Sequence, residues 1–119
     1  MLKRTQIKKT ISYSAKSNDL SHPGHVFPLL ARENGVLGRR GHTEGSIDLM
    51  KIAGLGEFAV LCELTNEDGT MPKLPEICRF AKKHDMSVVS IEDIYQYRKE
   101  KFINNRKILI RSIYDQVVG

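Results

Sequence analysis

Apolar positions fall in short blocks along this chain, and the spacing inside each block predicts an element. Residues 1–20 are polar and carry no usable periodicity. From Val26 the pattern sharpens. Val26-Phe27-Pro28-Leu29-Leu30-Ala31 predicts a short strand, and Val36-Leu37 opens a second one across Asn34-Gly35, a pair that tolerates positive φ and favours a hairpin turn. Thr43 is placed to cap the helix behind it, with Ile47, Met50 and Ala53 on one face and Gly54 at the stop. Phe58 to Leu64 suits a buried strand, interrupted by Cys62 and Glu63, and Asn66-Glu67-Asp68-Gly69 closes it with turn chemistry.

Pro75 occupies a good first-turn position for a second helix, on which Ile77, Phe80 and Ala81 make the core-facing stripe and His84 sits at the end favoured by the dipole. Val88-Val89 reads as a short strand. Ser90 caps a third helix carrying Ile91, Ile94 and Tyr95, and Ile108 to Val118 is read as a strand. Strands alternating with helices point to one domain of α+β class, a mixed α/β sandwich.

Composition narrows the setting. A length of 119 residues suits a single compact domain, and an apolar fraction of 40% supports a packed core. No apolar run approaches the roughly 20 residues needed to span a bilayer, and the basic start lacks the apolar stretch of a secretory signal, so a cytoplasmic protein without a membrane partner is expected. Cys62 and Cys78 are too far apart for a Cys-x-x-Cys motif and are expected to be reduced and buried.

The net charge of +5 suits an anionic partner. Its excess gathers in Lys3, Arg4, Lys8 and Lys9 and again in Arg98, Lys99, Lys101, Arg106, Lys107 and Arg111. Terminal charge runs of this kind read as solvated faces. Tyr95, Tyr97 and Phe102 lie among the second cluster and keep nucleic-acid binding as a third reading, though nucleic acid is not the expected partner.

Three features could carry chemistry. Gly38-Arg39-Arg40-Gly41-His42-Thr43 runs straight into a helix, combining glycines, fixed positive charge and free N–H groups in a seat suited to phosphate, or else in a plain basic loop. Glu63 inside an apolar run is either a buried general acid or base, or a carboxylate that points to water. His22, His25, His42 and His84 show neither the i, i+4 spacing nor the cysteine partners of a zinc site, so spacing assigns no metal, and His22 reads as a surface residue.

Read as one string, Asp19 to Arg98 resembles the 3,4-dihydroxy-2-butanone 4-phosphate synthases. The blocks that carry the resemblance are HPGHVFPL (22–29), NGVLGRRGHTEGSIDLM (34–50), LCELTNEDGTMPKLPE (61–76), FAKKH (80–84) and SIEDIYQYR (90–98). The resemblance implies a riboflavin-biosynthesis lyase that converts D-ribulose 5-phosphate to L-3,4-dihydroxy-2-butanone 4-phosphate and formate with Mg²⁺ or Mn²⁺, working as a homodimer. It implies catalytic roles for His25 and Glu63, substrate contacts from Arg39, Arg40, Gly41, His42, Thr43 and Glu63, and metal ligation by His42.

The match has limits. Residues 1–18 fit it poorly, 19–98 correspond to the C-terminal part of the synthase domain, and 99–119 are expected to be a linker or the start of a second domain, as in bifunctional relatives joined to a GTP cyclohydrolase II-type unit. Leu30 stands where many relatives carry Arg, and the family's acidic Arg-Glu-x-Glu-Gly-Asp loop does not occur in these residues. The expected fold is therefore an incomplete one, and the chain alone is expected to have little lyase activity. The alternative is a non-catalytic module that keeps the fold to dimerise or to bind an anion.

Overall fold

Three α-helices follow from caps and stops written into the chain from Gly41 onward: α1 (His42–Ile52), α2 (Leu74–Lys83) and α3 (Ile91–Val118). The structure is a computed structural model describing residues 7–20 and 23–118, with side chains as far as Lys107. It divides into two compact units, Met1–Leu30 and Ala31–Gly119. His22, Lys3 and Arg4 lie outside the described residues, as does the Arg111 side chain.

In the first unit, residues 7–10 are helical and a 3₁₀ turn spans Ser17–Asp19. The Asp19 carboxylate accepts the Lys16 N–H at 3.1 Å and lies 3.8 Å from the Lys9 ammonium. Val26 to Leu30 is exposed and unpaired, so the first expected strand does not form there.

In the second unit, the start of α1 corrects one expectation. Its N-cap is Gly41, in extended conformation, and Thr43 lies inside the helix. Ile47 and Met50 are only half-buried, while the buried stripe of the helix is Glu44, Gly45 and Asp48. The predicted stop holds: Gly54 has φ +70°, its N–H donates to Lys51 and the Leu55 N–H to Met50, which satisfies the last carbonyls of the helix.

Asn34 and Gly35 do adopt positive φ, 68° and 58°. They lead into a 3₁₀ turn, Gly35–Leu37, rather than a hairpin. The reason is local competition for donors. The Asp48 carboxylate accepts the Val36 N–H at 2.8 Å, and the Glu44 carboxylate accepts the Arg32 N–H at 2.9 Å, so segment 32–36 is bound to α1 and not to a strand. Glycine is required at Gly35 twice over, because its φ is positive and a Cβ there would overlap the Asp48 carboxylate.

Val36 fills the space beneath this turn with 1% of its surface exposed, a burial that contributes about 2 kcal/mol. Around it stand Gly45 and Ile94, itself 4% exposed. Gly45 lets α3 approach α1, since a Cβ would come within 2.6 Å of Ile91 Cδ1.

The caps of α2 and α3 match the sequence. Pro75 lies in the first turn of α2, and the Glu76 carboxylate accepts the Lys73 N–H at 2.6 Å. His84 is the C-cap, followed by Asp85 at φ 52°. Ala81 is buried and Ile77 half-buried, but Phe80 is largely exposed. Ser90 and Asp93 bond reciprocally at the start of α3. That helix continues to Val118, so residues 108–118 are helical and not the expected strand.

Among the described residues no backbone pairs as a strand. Phe58 to Leu64 and Val88-Val89, where the pattern predicts strands, have no regular structure, and Phe58, Val60, Leu61, Val88 and Val89 are exposed. A strand is stabilised only by a neighbour that takes its backbone groups and covers its face. The sheet half of the expected α+β class is therefore not formed among these residues. The same exposure overturns the expectation of buried thiols: Cys62 and Cys78 are both free and exposed.

Candidate functional site

The turn Arg39 to Thr43 enters α1 as its sequence suggests. Gly38 folds back over Glu33, where a Cβ would overlap the backbone carbonyl, and Arg39 donates its N–H to Gly35 at 3.0 Å. Gly41 donates to Arg39 at 2.9 Å and, as N-cap, accepts the first helical bond from Gly45. The N–H groups of His42 and Thr43 have no acceptor among the described residues, as the geometry of a helix start requires. The positive end of the helix dipole lies next to two arginines of the turn, and an anion could sit there.

The two arginines differ. Arg40 is committed to α3: its guanidinium lies 2.5 Å from the Glu92 carboxylate and 3.8 Å from the centre of the Tyr95 ring. Arg39 is two-thirds exposed, and its nearest carboxylate oxygen, on Glu44, is 3.9 Å away. It is the arginine available to a ligand.

Behind this turn lie two carboxylates that sequence reasoning missed. Glu44 and Asp48 are 0% and 1% exposed. Asp48 is saturated by the Val36 N–H and by the Arg98 guanidinium of α3. Glu44 Oε1 has the Arg32 N–H, while Oε2 is buried without a partner among the described residues. The Arg32 N–H holds the Glu44 carboxyl below its ordinary value of 4.5, against the opposing effect of burial, with help from Arg39 and Arg32 charges. The available signal was the i, i+4 spacing of two acids in a helix whose intervening turn holds a glycine.

Glu63 is exposed in segment 58–64, and no hydrogen bond or ion pair among the described residues joins it to Arg39–Thr43. His25 is exposed and belongs to the first unit. His42, the expected metal ligand, is exposed at the first position of α1. Among the described residues no three His, Cys, Asp or Glu side chains gather as a metal site. Mg²⁺ prefers about six oxygen ligands, so the residues present do not by themselves fit it. A cavity of about 290 Å³ lies between residues 64–67 and α2, walled partly by Phe80, whose ring is 4.4 Å from that of His84; Glu63 does not line it.

Residues 3–97 match the family described as 3,4-dihydroxy-2-butanone 4-phosphate synthase. Curated relatives of that name include one from Desulfotalea psychrophila, 64% identical over 81% of this chain and 45% of its own length. Another, from Shewanella pealeana, is 63% identical over 79% of this chain and 44% of its own. The chain thus spans less than half the length of these relatives. A crystal structure of a two-domain 3,4-dihydroxy-2-butanone 4-phosphate synthase from A. baumannii superposes with a TM-score of 0.71 at 43% identity, covering 76% of this chain and 27% of that one. With four-fifths of its residues aligned at this identity, the chain belongs to the 3,4-dihydroxy-2-butanone 4-phosphate synthase family.

Proposed function

We propose that this chain carries the part of a riboflavin-pathway lyase site that seats D-ribulose 5-phosphate. The observation behind this reading is the Arg39–Thr43 turn, where a guanidinium that is two-thirds exposed and two N–H groups without an acceptor among the described residues stand at the start of α1. These groups bind and orient an anionic group of the substrate, Arg39 by charge and His42 and Thr43 through the backbone. Glu63 and His25 move the protons of enolisation and dehydration at the sugar carbons, on the way to L-3,4-dihydroxy-2-butanone 4-phosphate and formate. His42 would be one ligand of a divalent cation, which would stabilise enediolate charge, with further oxygen ligands needed beyond those gathered here.

The α+β class belongs to this same reading. Segments 58–64 and 86–90 have no regular structure within this chain, and they become strands when a neighbouring segment or subunit pairs with them. Within this chain alone the acidic family loop is absent, so little turnover is expected.

The test is a thermal melt and a formate-release assay on the same sample with D-ribulose 5-phosphate and Mg²⁺. A rise in Tm that Arg39→Ala abolishes, with little formate, is the expected result. No rise at saturating sugar phosphate would refute the seat, and rapid formate release would refute the expected inactivity.

A further inference from the structure

We propose that Glu44 is a positioning residue for the anion seat, holding Arg39 at the mouth of the Arg39–Thr43 turn by its charge. The inference deepens the proposed function and rests on that turn being a seat for an anion.

The geometry leads there in three steps. Glu44 is fully buried, yet only one of its oxygens is hydrogen-bonded, to the Arg32 N–H at 2.9 Å. The other lies against Gly41, where a Cβ would overlap it, and has no partner among the described residues. A buried carboxylate with spare acceptor capacity attracts the nearest mobile donor.

The ion-pair partner of this carboxylate among the described residues is Arg39, whose guanidinium stands 3.9 Å from Oε1 and has no other such partner there. Asp48, one turn on, cannot take this role because the Val36 N–H and Arg98 already occupy it. Arg40 is likewise held on α3 by Glu92 and Tyr95.

The contact is too long to lock the guanidinium, and Arg39 remains two-thirds exposed. Its rotamers are narrowed before an anion arrives, which reduces the ordering required on binding. The repulsion of an anion by Glu44 itself is offset, because Arg32, Arg39 and the positive end of α1 surround the carboxylate. Glu44 therefore acts through Arg39 and need not touch the ligand.

The test uses the full chain and inorganic phosphate, followed by the Arg39 side-chain Nε–H signal and the His42 and Thr43 amide signals at fixed neutral pH. Glu44→Gln keeps an acceptor for Arg32 and removes the charge. Without phosphate it should move the Arg39 signal to the position of a free arginine while the rest of the spectrum is retained. Glu44→Gln and Arg39→Ala should each weaken phosphate binding about two- to fivefold, and the double variant no further.

An Arg39 signal unmoved by Glu44→Gln, additive losses, or tighter phosphate binding in Glu44→Gln would overturn the proposal. If Glu44→Gln does not fold, Glu44→Asp decides: it keeps the charge on a shorter arm, and an unmoved Arg39 signal again overturns the role. If phosphate moves neither amide in the unaltered chain, the seat itself fails, and the Arg39 signal alone judges the positioning.

Discussion

Glu44 and Asp48 place two negative charges inside the molecule, and the backbone of residues 32–36 is wound around them. Burial alone would favour the neutral acid, but at Glu44 the Arg32 N–H outweighs it and the carboxyl is held below 4.5. The unfolded chain therefore takes up the proton first as pH falls. The stability from this group is fully present above 4.5 and is lost as pH drops through the lower folded value. Asp68 and Asp93 are also held down, by bonds from Thr70 and Ser90 respectively, and add to the loss below 3.8. Denaturation curves across this range should show stability draining with acid, and Glu44→Gln should flatten the upper part of that limb. An unchanged acid limb in the variant would show that the ionised form of Glu44 does not stabilise the fold.

Caps and stops govern the elements. The Ser90 hydroxyl accepts the Asp93 N–H at 3.1 Å and donates to the Asp93 carboxylate at 2.6 Å, fixing where α3 begins. Ser90→Ala should cost about 1 kcal/mol and lower Tm by several degrees. A melt showing no change would mean that packing at Ile94, rather than the cap, sets the helix start.

Features of this short-range kind were legible in the sequence: Ser90, Pro75, Gly54 and the Asn66–Gly69 turn all act where their chemistry places them. Asn34-Gly35 was legible as backbone but not as topology. Positive φ is a property of those two residues, whereas the acceptor for the next N–H is Asp48, 12 positions along the chain. The strands expected at 58–64 and 88–89 do not form among the described residues, because pairing depends on a neighbour that a local pattern does not name. The Arg39–Thr43 seat was visible as a motif. Its buried support was not, since an acid in a helix ordinarily points to water.

At the scale of the molecule, backbone without regular structure and exposed apolar side chains coincide. Phe58 and Val60 are 53% and 66% exposed, and Val88 and Val89 present similar surface. Unpaired edges with apolar faces favour pairing with another chain. Sedimentation should therefore show self-association that grows with concentration, and Val60→Lys should reduce it. A monomer at all concentrations would mean that these faces are covered in solution. No helix among the described residues is long and apolar enough to cross a membrane.

Binding of D-ribulose 5-phosphate, followed in a ¹H–¹⁵N spectrum of the chain, most directly examines whether the helix start and the apolar segment serve one substrate. Saturable shifts at Arg39, His42 and Thr43 together with Glu63 are the predicted result. Shifts at neither place, or at the turn alone with inorganic phosphate equally effective, would contradict it.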